Sequence, residues 1–486
     1  MNYSDFSFWW ILLLFCVPFF TVRTVARSVN LWPGFFDALG LMALSLLLFF
    51  NASRASFVVF IFEVVFNYVM VALMQRTRGW QAKLFAGVII TIDIAILAYF
   101  KYLAFFVEDV FGILAGGVAD NWDRSLPIPV YSHIPPGVSF YTFQMVAFVV
   151  DSLTARKKRP IGFVDYINFV AFFPQIVAGP IERRTNLFPQ IESFRFKATL
   201  ENFDVGLRWL SLGLFMKFVL ADNLFPYIDL TTVENAWGVW FNAFIFTLRI
   251  YFDFAGYSFI ALGIARFLGV RLTVNFLAPY TSPSINEFWR RWHITLSTWF
   301  RDYVFLPLMG SRKKLAPFFL FITFTLSGFW HGAAWNFIIW GAYHGALLLV
   351  LRYLGRPFHK VVGQHIARPQ FISWGLTFGS VVLGCLFFMD TDIGRLLLKL
   401  RTLVTPWAYS LSNLGEFFGS YSVNEGAALL LILALSGLVL LMEHIAVWQR
   451  KFEYELLLSP WVSPVLLGLT LLLAANTPSE FIYFEF

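Results

Sequence analysis

The chain has 486 residues, of which 59% are hydrophobic and only 13% charged, and its formal net charge is +7. Soluble domains carry about 25% charged residues, and here the apolar excess runs the whole length of the sequence, so a soluble domain with one anchor is excluded. The expected fold class is an all-α polytopic membrane protein forming a single domain over 1–486.

Apolar runs of spanning or near-spanning length recur at about 8–22, 35–52, 56–74, 85–107, 136–150, 162–180, 205–221, 238–266, 315–330, 333–352, 371–389, 426–443 and 461–476. A full span needs roughly 20 residues, so the runs at 136–150, 162–180 and 315–330 are expected to be re-entrant or half-buried. The total expectation is about 10–13 crossing or re-entrant helices. The first run lacks a basic leader and a small-residue cleavage site, and is expected to be a retained helix. Cys16 and Cys385 both lie in apolar runs without CxxC spacing. Neither a metal site nor a disulfide framework is suggested, and no bound cofactor is expected.

Lys and Arg in the connections set the orientation. Arg23 and Arg27 follow the first run, Arg76, Arg78 and Lys83 the third, and Arg156, Lys157, Lys158 and Arg159 the fifth. These alternate connections, and the 352–370 connection with Arg352, Arg356, Lys360 and Arg368, belong in the cytoplasm. The 106–135 connection carries Glu108, Asp109, Asp120 and Asp123 against Arg124, and belongs outside. Basic residues placed this way speak for membrane lipid as the surrounding partner and against nucleic acid.

Asp253 is a carboxylate inside an apolar run, with Arg249 one helical turn earlier; it either forms an i,i+4 ion pair or supports a functional site. Residues 284–304 predict an amphipathic helix. Glu287 lies three and four residues before Arg290 and Arg291, and those arginines fall broadly on one side with Ser297 and Arg301. Trp289, His293, Leu296 and Phe300 fall on the other. So many charges cannot face lipid. The helix either lies at the cytoplasmic interface with its arginines on lipid phosphates, or its arginines bind the phosphates of an acyl carrier, where bidentate contacts favour Arg.

His331 sits in the apolar stretch Gly328-Phe329-Trp330-His331-Gly332. Ionisable groups at membrane depth usually face a protein-lined cavity and mark a functional site. An imidazole there is either bonded in the core or a proton-transfer group. His344 lies 13 residues on, which on a continuous helix is about 220° away. The two would then not share a face, and His344 reads as structural. Nucleophile elbows, Gly-rich phosphate loops and HExxH are absent from the sequence, which favours direct proton abstraction over a covalent intermediate.

At these residues the chain resembles the membrane-bound O-acyltransferase family, in particular its bacterial alginate O-acetyltransferase branch. The carrying segments are Pro135 to Gln144, Phe172 to Ile181, Tyr251 to Ser258, Glu287 to His293 through Asp302, and Gly328 to Gly332; together they cover roughly residues 60–350. Ala255 and Phe259 depart from the alginate-type pattern, and the Asp253 to Ser258 segment is more similar to the teichoic-acid D-alanylation branch. The resemblance implies a funnel-shaped helical enzyme in a bacterial cytoplasmic membrane. It implies His331 as the catalytic histidine and His293 as the second signature histidine. Arg290, Arg291 and Arg301 are then candidates for the donor's phosphates, and Asp253, Trp330 and Glu287 for supporting roles. The expected reaction moves an acetyl group from a thioester, an acyl-CoA such as acetyl-CoA or an acyl-carrier donor, toward an extracytoplasmic polysaccharide or cell-wall glycan. An extracytoplasmic SGNH-type acetyltransferase partner is expected with it. Two alternatives remain open: D-alanyl transfer to teichoic acid from a carrier protein, and a proton-coupled transporter.

Overall fold

A computed structural model describes residues 3, 5–28, 34–110, 134–155, 160–192, 194–365, 369–475, 478–479 and 481–482. Most of the acidic 106–135 connection, including Asp120, Asp123 and Arg124, lies outside the described residues, as do Arg156 to Arg159 and Arg368. The described residues are predominantly helical and contain no strand, as expected where every backbone polar group must be satisfied without water. The chain forms two compact units, Met1–Gly206 with Ala261–Thr273, and Leu207–Ile260 with Val274–Phe486.

In the first unit, α1 (Phe6–Ser28), α2 (Phe35–Ala52), α3 (Arg54–Arg76) and α4 (Gly79–Lys101) are each long and apolar enough to cross a membrane. The charges that remain inside are paired. Arg23 of α1 grips Asp37 of α2 through two bonds of 2.7 and 2.8 Å, and both side chains also bond the Phe196 backbone. Asn67 of α3 donates to Asp93 of α4 at 2.7 Å, the kind of polar cross-link that joins helices where lipid offers no hydrophobic drive. The 136–150 run forms α5 (Val138–Thr154). The 162–180 run is helical only over α6 (Phe163–Val170), after which the backbone is irregular. Phe172 to Ile181 are all buried, which is the condition for non-helical backbone at membrane depth. The amide of Gln175 donates to Gln144 at 2.7 Å, and that of Gln144 to the Phe169 carbonyl at 2.8 Å. Two of the segments singled out by sequence therefore hold one another in place.

The second unit begins within α7 (Leu200–Leu214) and contains most of α8 (Ala236–Phe267). The apolar window of α8 is entirely buried, against 11–44% for the other six spanning helices. After it come the short helices α9 (Ile285–Arg291) and α10 (Ile294–Phe300), then α11 (Ala316–His331), α12 (Trp335–His365), α13 (Pro369–Met389), α14 (Ile393–Leu403), α15 (Val423–Trp448) and α16 (Val462–Leu473). The helix α12 runs on into the region that hydropathy assigns to the 352–370 connection. Seven described helices, α1–α4, α8, α13 and α15, meet full spanning length; α5 and α16 are shorter apolar helices. Lys217, Asp222 and Asp253 form a buried cluster, with Lys217 Nζ 2.8 Å from Asp222 and 2.6 Å from Asp253. Asp253 also accepts from the Ile482 backbone at 2.7 Å. It is therefore bound to Lys217, whereas the Arg249 guanidinium lies over the Phe225 ring at 4.2 Å. Tyr251 of α8 donates to Glu443 of α15 at 2.7 Å, and Tyr454 accepts from the Ala278 backbone at 2.9 Å. The helices α11 and α12 pack closely and cross where Gly328 and Gly341 face each other; a Cβ on either would strike the partner's backbone.

Candidate functional site

The 284–304 segment is two helices, because the chain breaks at Trp292 and His293. Ser284 caps α9, its hydroxyl accepting from the Glu287 backbone at 3.3 Å. The helix ends as Trp292 turns extended, and His293 takes a left-handed conformation with φ 41°. Residues with a Cβ adopt this region at a cost, and they persist there only where the surroundings hold them. The holder is the extended segment around Asn275. Leu277 N–H donates to the Arg291 carbonyl and Ile294 N–H to the Asn275 carbonyl, both at 2.9 Å. Asn275 Oδ1 accepts from Thr295 N–H at 3.1 Å and from Thr295 Oγ1 at 2.9 Å, capping α10, and lies 3.3 Å from His293 Nδ1. A backbone N–H can only donate, so the atom it meets is the amide oxygen. His293 Nδ1 must then carry the proton, which leaves the lone pair on Nε2. Burial pushes this imidazole down to about 3, so it is neutral at physiological pH. Its ring packs on Phe254 (4.7 Å between centroids) and faces Trp330 at 6.2 Å.

His331 is the last residue of α11, 3% exposed. The helix stops there because Gly332 is extended, and α12 turns back against α11. Consequently His344 of α12 and His331 line one small cavity, of about 20 Å³, although a continuous helix would have separated them. Trp289, Trp292, Tyr280, Trp340, Cys385 and Phe388 complete most of its wall. The His331 ring has edge contacts with Trp340 at 5.0 Å and Phe388 at 5.3 Å.

A second cavity, of about 600 Å³, adjoins it and shares Trp289 as wall. Arg290, Arg301, Asn286, Ser297, Thr298, Thr323 and Ser327 supply its polar lining. Arg290 is exposed and has no acidic partner among the described residues. Arg301 is held by Asp302 at 2.7 Å with more than half of its side chain exposed. Arg291, by contrast, is committed to Glu287 at 2.8 Å, to Glu453 at 3.4 Å and to the Leu277 carbonyl at 3.1 Å. Of the three arginines expected near a donor, two therefore line the cavity while Arg291 and Glu287 brace α9. Asp253 braces the Lys217 cluster, and Trp330 stands between the two signature histidines. The cavity volume would take a phosphate-bearing, drug-sized ligand, since such pockets run about 300–1,000 Å³.

Residues 2–389 match the membrane-bound O-acyltransferase family. The chain belongs to that family. It is an acyltransferase embedded in a membrane by multiple helices. A peptidoglycan O-acetyltransferase of Helicobacter pylori is 31% identical over 388 residues, covering 73% of this chain and 71% of its own. A probable alginate O-acetylase AlgI of Pseudomonas putida is 36% identical over 323 residues, 65% of this chain and 64% of its own. A teichoic acid D-alanyltransferase of Streptococcus thermophilus is 30% identical over 235 residues, and its match covers 44% of this chain and 56% of its own. Asn275 and Trp340 carried no sequence signal of a site, and His344 read as structural; Asn275 anchors the break at 292–293, while the break at 332–334 brings Trp340 and His344 to His331.

Proposed function

We propose that this acyltransferase takes an acetyl group from acetyl-CoA on the cytoplasmic side of a bacterial inner membrane and passes it outward for O-acetylation of a polysaccharide or cell-wall glycan. The observation that carries the reading is His331 on a small, aromatic-lined cavity whose wall, Trp289, is shared with the arginine-bearing cavity. Arg290 and Arg301 hold the donor's phosphates as planar, bidentate cations. The acceptor hydroxyl gives its proton to His331, its oxygen attacks the thioester carbonyl, the C–S bond breaks, and the thiolate leaves to be protonated. Positioned general-base catalysis contributes roughly 10²–10⁴-fold. His331 ends α11, where the helix dipole favours the imidazolium that forms, by about 0.3–1 kcal/mol. His293 is neutral and hydrogen-bonded, and its part is to shape the Trp330 side of the site. Orientation of donor and acceptor in a narrow, water-poor site supplies further acceleration.

Acetyl is favoured over D-alanyl because the O-acetyl-transferring relatives match more of the chain than the D-alanyltransferases do. The longest connections are only a few dozen residues, too short to form an extended polysaccharide groove. An extracytoplasmic partner, of the SGNH type that the resemblance implies, receives the acetyl group and places it on the sugar. The test is a defined-donor assay in vesicles. Acetyl-CoA should support transfer only when a partner is supplied. Transfer with a D-alanyl-loaded carrier and none with acetyl-CoA would replace this reading by the D-alanyl one.

A further inference from the structure

The cavity at His331 is small and aromatic on nearly every side. A single water needs about 10–15 Å³ of such space, and this cavity offers about 20 Å³. Trp289 and Trp340 lie 5.7 Å apart, each 5.0 Å from His344, and Phe388 closes the far side 5.3 Å from Trp340. These are close-packed rings, and the space they leave beside the histidine is narrow. Among the described residues no carboxylate lines the cavity. A primary ammonium brought there would lose its water with no acid to meet it. The indole faces could attract a cation, but a branched group carrying both methyl and ammonium is bulkier than the methyl of acetyl.

Resting on acetyl-CoA as the donor, we propose that Trp289 and Trp340 are specificity-determining residues: their indoles size the His331 cavity for a two-carbon acyl group and exclude longer or α-amino acyl groups. The tryptophans select by volume and take no part in proton transfer. An extra methylene that does not fit an apolar pocket is worth roughly 10–200-fold.

The experiment measures binding of acetyl-, propionyl- and butyryl-CoA, and of free CoA, to the purified full chain by calorimetry, with thiol release followed in the same samples. Wild type should bind acetyl-CoA at least about tenfold more tightly than butyryl-CoA. Trp340→Ala and Trp289→Ala should each bring that ratio to within about threefold, with Trp340→Phe intermediate. Equal wild-type affinity for acetyl- and butyryl-CoA overturns the proposal, and this arm decides it whether or not a variant folds. A wild-type preference that survives in both folded alanine variants overturns the role of the tryptophans. No saturable binding of acetyl-CoA, with or without free CoA binding, overturns the donor reading itself and the selectivity with it.

Discussion

Asn275→Ala is the most informative perturbation of the site that leaves both signature histidines in place. One amide oxygen serves three donors: the Thr295 N–H, the Thr295 hydroxyl and His293 Nδ1. The hydroxyl can turn elsewhere, but the backbone N–H and the imidazole N–H are fixed and buried. Each buried donor left unsatisfied costs about 1–3 kcal/mol, so the pair sets a range of roughly 2–6 kcal/mol. Partial relaxation of the imidazole places the expected loss near the lower end, about 2–3 kcal/mol. The same oxygen caps α10, and loss of a cap alone costs about 0.5–2 kcal/mol. Because the left-handed turn at His293 depends on this anchor, α9 should shift and carry Trp289 and Arg290 with it. A misplacement of about 1 Å can cost 10²-fold in rate. We expect Asn275→Ala to melt several degrees lower in detergent and to lose at least about tenfold in kcat, while Asn275→Asp, which keeps the acceptor, recovers part of the melting temperature. A variant that melts with wild type and turns over at the wild-type rate would show that Asn275 does not hold the turn.

Gly341→Leu should prevent α11 and α12 from crossing at Gly328 and abolish assembly of the His331 cavity, read as loss of a folded monodisperse species on size exclusion. Arg23→Met leaves the buried Asp37 carboxylate without its guanidinium, which costs about 3–5 kcal/mol. Adding Asp37→Leu should restore much of the melting temperature, and a double variant no more stable than the single one would refute the ion-pair account. For orientation, Lys157→Cys should label only from the cytoplasm and Asp120→Cys only from outside, in a chain lacking Cys16 and Cys385. Labelling of 157 from outside intact cells would invert the topology and the donor side.

Much of the fold was legible because lipid imposes one rule, that long apolar runs be helical. The two histidines stood out because an imidazole in an apolar run needs a reason to be there. What the sequence did not reveal depends on partners far along the chain. The helical wheel of 284–304 continues smoothly through His293, and only Asn275, pairing from an extended segment, breaks it. Asp253 has a local cation at Arg249, yet its ion pair is with Lys217 on another helix. His344 faces His331 only because an extended Gly332 ends α11. The length and apolar character of the runs were thus readable, whereas contacts set by chain reversal or by a distant helix were not.

The most direct measurement of the central claim is acetyl transfer by His331→Ala. The variant is incorporated in vesicles beside wild type at equal folded amount, with acetyl-CoA on the cytoplasmic face and the partner and glycan on the other. Product acetylation should fall to background while donor binding persists. Near-wild-type acetylation by the folded His331→Ala protein would contradict it.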